Sequence, residues 1–121
     1  MASERKNAVI ESTMLGVEDH GILSCWLNLK YDGSGQGFGG YSLDGPKKDA
    51  AGKFLGRFGT AYGAEFIRLI LATLKVERWE KLPGTPLRVE ADHSHVYAIG
   101  HYIDDRWFRP ETDLKKFIDG E

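Results

Sequence analysis

Cysteine is almost missing from this chain. Its one thiol, Cys25, excludes an intramolecular disulfide and leaves the fold to depend on its hydrophobic core. Cys25 falls in an apolar alternating run with nothing cationic beside it, so a buried and inert thiol is expected. A surplus of either charge is also missing. Sixteen basic and 18 acidic residues leave a net charge of −2, whereas sequence-independent nucleic-acid binders draw their affinity from a basic surplus that releases counterions. A small anion held by a few local arginines remains open. No apolar run is long enough for a leader or a membrane span, and MASERKNAV is charged before it begins to alternate, so a soluble intracellular protein is expected. Nucleophile elbows, His-Glu-x-x-His and Gly-Lys-Ser or Gly-Lys-Thr motifs are absent too.

What is present is enough apolar and aromatic residue for one globular domain over residues 1–121, which at this length buries roughly two-thirds of its unfolded surface. The pattern predicts an α+β fold with an N-terminal antiparallel sheet, a central helical pair and a C-terminal β-hairpin. Residues 7–15 alternate as a strand, and Glu18-Asp19-His20-Gly21 makes a turn. Residues 22–31 give the clearest strand, with Leu23, Cys25, Leu27, Leu29 and Tyr31 on one face and Trp26 on the polar one. A ring there calls for a partner, so Trp26 is a candidate subunit contact.

Residues 32–41 are rich in glycine, but neither the spacing nor the following residues fit a phosphate loop. A hairpin with close backbone packing accounts for them better. Residues 47–57 read as a short helix weakened by Gly52 and Gly56, and 61–76 as a stronger one with a stripe of Phe66, Ile67, Ile70, Leu71 and Leu74. A short turn at 78–82, a closing hairpin of 86–91 and 96–103, and a helical turn at 110–118 complete the chain.

The segment LRVEADHSHVYAIGHYIDDRWFRP carries the most chemistry. Arg106 and Arg109 bracket Trp107 and Phe108, placing guanidinium forks beside flat rings. That pairing suits a ligand with phosphates and a base. The dull alternative is that the rings cap the core and the arginines are solvated. Arg57, with Lys47, Lys48 and Lys53 upstream, forms a second basic patch or a plain solvated helix face. His93 and His95, with His101 or His20, suggest a metal site only on paper, because a turn spoils their common facing and no third ligand follows at a zinc spacing. Glu18, Asp19 and His20 are adjacent but diverge around a turn.

The segments WEKLPGTPLRVEADHSHVYAIGHYIDDRWFRP and STMLGVEDHGILSCWLNLKYDGSGQGFGGYSLD, and the layout of sheet, helices and hairpin, resemble the Thoeris anti-defence sponges of phages, first type. They cover about half the chain. The resemblance implies a protein without catalytic activity or cofactor that captures a glycocyclic ADP-ribose signal in the cytoplasm of the infected bacterial host. It also implies a homo-oligomer, dimer or hexamer, and in some members a second pocket for cyclic oligonucleotides. Carried over, Arg109 and Arg106 would hold phosphates. A partner subunit's 82–92 loop would contact base and ribose, with Leu82 at its start and Ala91 and Asp92 at its rim, and Arg57 would serve the second pocket. Asp92 would have to face a hydroxyl or base edge, since a carboxylate repels a pyrophosphate. Two competing expectations are an inhibitor that binds a host protein, of anti-CRISPR type, and a small metal-dependent hydrolase using His93, His95 or His101.

Overall fold

The computed structural model describes residues 4–119. Half of the protein is strand, arranged as antiparallel sheet with a few short helices. Strands β1 (Glu4–Asp19), β2 (Ile22–Tyr31), β3 (Ser34–Gly39), β6 (Pro86–Ala91), β7 (Val96–His101) and β8 (Trp107–Phe108) form one six-stranded sheet in the order β3-β2-β1-β6-β7-β8. Every pairing in it is antiparallel. A separate hairpin joins β4 (Asp44–Lys48) to β5 (Phe54–Gly59). Helix α1 (Ala61–Leu74), a 3-10 turn (Trp79–Lys81), and two short helices, α2 (Pro110–Asp113) and α3 (Lys115–Asp119), complete it.

Period-two alternation divides the sheet into two unlike faces. The inner face presents Ile10, Leu27, Leu29, Phe38, Leu87, Val89, Ile99 and Phe108, all buried. Helix α1 covers it with Phe66, Ile70 and Leu74. Phe66 is the hub: its ring lies 5.9 Å from Phe38 in a near-parallel stack and 5.1 Å from Phe108 edge-on, both favourable aromatic geometries. Cys25 is buried in this core, and burial pushes its thiol up to about 12, as expected for an inert thiol.

Helix α1 starts where Thr60 caps it, its hydroxyl accepting from the Gly63 amide at 3.0 Å. It ends at Lys75 in a left-handed conformation. Gly63 lets the helix sit hard against the chain entering β4, because a Cβ there would lie 1.8 Å from the Leu43 carbonyl oxygen.

The expected helical pair is a single helix. Residues 47–57, predicted helical, belong to the β4–β5 hairpin instead. Asp49 turns the chain by accepting from the amides of Ala51 and Lys53, both at 2.9 Å. Gly52 (φ +85°) and Gly56 (φ +116°) take backbone conformations that a helix does not use. The ion pair of Arg57 with Asp44, 2.8 Å, fastens the base of the hairpin. The closing hairpin is β6–β7 as expected, and the first strand begins at Glu4, earlier than predicted.

Gly63→Ala tests the helix docking. Alanine favours a helix over glycine by about 1 kcal/mol, yet overpacking against Leu43 should leave the variant about 1–3 kcal/mol less stable in urea denaturation. A gain in stability would contradict the packing described.

A candidate anion-binding face on the sheet

The outer face of the sheet, opposite α1, is where the chemistry gathers. Strand β7 presents only Ala98 and Gly100 to it, so long side chains from neighbouring strands lie down across β7. Arg88, Gly100 and Trp107 form one row across β6, β7 and β8. Arg5, Glu90 and Ala98 form the next. The Trp107 indole rests on Gly100, where an added Cβ would come within 2.7 Å of the ring. The guanidinium carbons of Arg5, Arg88 and Arg109 stand 4.7, 5.0 and 5.3 Å from its centroid, within cation–π range.

Glu90 orders this cluster. One carboxylate accepts a two-pronged bond from Arg109 (Nη2 at 2.9 Å, Nε at 3.2 Å) and a further bond from Arg5 Nε at 3.0 Å. The Arg109 hydrogen bond is the main reason the Glu90 carboxyl is held below the usual range, with Arg5 adding to it and desolvation opposing. Arg88 is fixed differently, by donating to the backbone oxygens of His101 (2.8 Å) and Asp104 (2.7 Å). It thereby clamps the turn that leads into Trp107. His101 finishes that turn, its Nδ1 accepting from the amides of Ile103 and Asp104 at 3.1 and 2.9 Å. Trp107 Nε1 is the only buried side-chain nitrogen or oxygen among the described residues that lacks a hydrogen-bond partner.

The sequence-predicted site residues divide among several places. Arg109 and Trp107 meet on this face. Arg106 is exposed on the turn just before it. Ala91 and Asp92 lie on the other side of the sheet, beside a recess of about 460 Å³ lined also by Lys6, Tyr31, Gln36 and His93. There Tyr31 donates to Gln36, which donates to the Asp92 carbonyl at 3.1 Å. The Asp92 carboxylate is taken up by its own turn. It accepts from Tyr97 (2.7 Å), Ser94 (2.8 Å, backbone and side chain) and the His95 amide (2.9 Å), which hold its pKa well down.

Leu82 is fully buried in the core, and residues 86–91 are an interior strand, not a loop. A ligand cannot reach Leu82 in this fold. Arg57 is committed to Asp44 and Ser42. No group of three or more His, Cys, Asp or Glu residues able to hold a metal occurs among the described residues.

Sequence reasoning missed Arg5, Arg88, Glu90 and Gly100. The alternation of Leu87, Val89 and Ala91 inward already turned Arg88 and Glu90 outward, which was a usable signal. Arg5 had none, since only the pairing of β1 with β6 brings it across. Trp107 also differs from the open stacking platform expected, because Gly100 occupies one side of it and guanidiniums crowd it. A base arriving here would lie on a guanidinium plane, with the indole as floor.

The Glu90 pairing predicts an acid-sensitive contribution to stability. A carboxyl whose folded pKa is depressed stabilises fully above its unfolded value and loses that contribution as pH falls through the folded one. Urea midpoints taken from about pH 6 down to about pH 3 should therefore fall more steeply for wild type than for Glu90→Gln. Parallel curves would mean that Glu90 is not paired in solution. No family model, curated protein or solved structure matches this chain, so the chemistry of this face rests on its own residues.

Proposed function

We propose that the protein is a non-catalytic binder that captures a phosphate-bearing cyclic nucleotide, of the glycocyclic ADP-ribose class, on the face built by Trp107, Arg5, Arg88 and Arg109. The observation that carries this reading is three guanidiniums held around one indole, with a single carboxylate between them. Among the described residues the three guanidiniums have one carboxylate in direct contact, that of Glu90 on Arg5 and Arg109, with Asp105 and Asp113 acting on Arg109 from farther off. This concentrates guanidinium donors on one face of a protein whose net charge is −2. Charge-assisted bonds from arginine to phosphate are stronger than neutral ones, and guanidinium planes stack on bases. Arg106, exposed beside the face, is available to a second phosphate oxygen.

Capture of this kind withholds a signal from its receptor only if binding is tight, on the order of nanomolar, or about −12 kcal/mol. An open sheet face encloses little of a ligand, so the proposal includes a homo-oligomer, dimer or hexamer, in which a second subunit closes the site. Exposed Phe54, Leu55 and Phe58 on β5 support a protein contact of some kind. The expected setting is the cytoplasm of an infected bacterium, where the ligand would be an immune messenger. No helix of the described chain is long and apolar enough to cross a membrane.

Calorimetric titration with a glycocyclic ADP-ribose, followed by chromatography of the released ligand, tests the proposal. Wild type should bind tightly and return the ligand intact. Arg109→Ala should weaken binding about ten- to a hundredfold, the loss of one charge-assisted contact, while Arg57→Ala should bind as wild type does. Altered ligand would make the protein an enzyme, and equal binding by Arg109→Ala would remove this face from consideration.

A further inference from the structure

We propose that Glu90 is the specificity-determining residue of the Trp107 face, admitting polyvalent phosphates and excluding monovalent anions. The inference rests on reading that face as an anion site. Its ground is how the arginine donors are used. A guanidinium has five N–H groups. Arg109 spends Nε and Nη2 on Glu90, Arg5 spends Nε on the same carboxylate, and Arg88 spends Nε and Nη2 on two carbonyls. No other bond among the described residues engages the remaining N–H groups of Arg5 and Arg109.

Depth decides what Glu90 can do. Its side chain is 17% exposed, against 57% for Arg5 and 40% for Arg109. The carboxylate is therefore the more buried member of each pair, and much of both arginines stays open to an anion arriving from solvent. Glu90 serves two ends from that position. It holds both forks in place, lowering the entropy lost when a ligand is bound. It also cancels one of the three positive charges.

A monoanion such as acetate then meets forks whose best carboxylate position is already taken, in a site where one charge gains little against water and salt. A pyrophosphate group brings several charges and oxygens and can bridge the free N–H groups of both arginines at once. With Glu90 replaced by its uncharged isostere, the amide fills the same space but cancels no charge and accepts through one oxygen only, so a monoanion meets freed N–H groups and an uncompensated positive charge. Selectivity is therefore set by an internal competitor, without any shape-matched pocket.

The test uses protein labelled with 5-fluorotryptophan, whose Trp107 fluorine resonance is assigned by its disappearance in Trp107→Phe. Sodium pyrophosphate and sodium acetate are titrated at matched ionic strength into wild type and Glu90→Gln, with circular dichroism confirming that the variant folds. Wild type should show a saturable Trp107 shift with pyrophosphate and none with acetate. Glu90→Gln should give a saturable shift with acetate, at concentrations about tenfold or more below the highest at which wild type shows none. Acetate affinity unchanged by the substitution overturns the proposal.

The wild-type protein alone is a second test, independent of the variant's folding: acetate shifting Trp107 as readily as pyrophosphate overturns the proposal, as does a site indifferent to both. If pyrophosphate binds with the expected preference while glycocyclic ADP-ribose does not, the selectivity stands and the nucleotide reading falls.

Discussion

Trp107 lying on Gly100 is the contact on which the charged face depends. A side chain at position 100 would lift the indole off the sheet, since the first added carbon already overlaps the ring. Lifted, the indole would no longer give Arg5, Arg88 and Arg109 a common surface, leaving only Glu90 and the His101 and Asp104 carbonyls to hold them. The same device recurs at the other end of the same face, where Trp26 lies against Gly37 and Gly40. Three glycines, Gly37, Gly40 and Gly100, thus make beds for tryptophan rings. Two of them fall in the glycine-rich segment 32–41, which resembles a phosphate loop in composition and whose Ser34–Gly39 stretch is a sheet strand.

The face also shows how a nearly neutral protein builds a concentrated cationic site. The charge is assembled from strands far apart in sequence, with Arg5 on β1, Arg88 on β6 and Arg109 just past β8. It is then partly cancelled from within by Glu90. Partial cancellation keeps the arginines ordered. A cluster of three unpaired arginines would lose side-chain entropy on every ligand encounter, whereas forks already anchored to a carboxylate lose less. Arg88 contributes differently, since its bonds to His101 and Asp104 shape the turn that delivers Trp107.

Much of the fold was legible where one periodicity ruled a segment. The alternation of 22–31, the stripe from Phe66 to Leu74 and the hairpin of 86–91 with 96–103 all appear in the structure, the last strand ending at His101. The segment 47–57 misled because its lysines and alanines favour helix, while its structure is decided by Asp49 and two glycines with positive φ. The candidate site was half legible. Arg109 and Trp107 are neighbours in sequence and in space. Arg5, Glu90 and Gly100 join them only through strand register, which composition does not carry. The resemblance puts Leu82 and Ala91 on a ligand-contacting loop, yet Leu82 belongs to the core and Ala91 to the interior strand that the alternation of 86–91 indicates.

The direct measurement is nitrogen-15 NMR of the indole Nε1–H and arginine Nε–H groups as a glycocyclic ADP-ribose is added. Ligand seated on the outer face should move the Trp107 indole signal and those of Arg5, Arg88 and Arg109 together, leaving Arg57 in place on Asp44. Shifts confined to Arg57, or to backbone amides around Tyr31, Gln36 and Asp92 on the opposite side of the sheet, would contradict it.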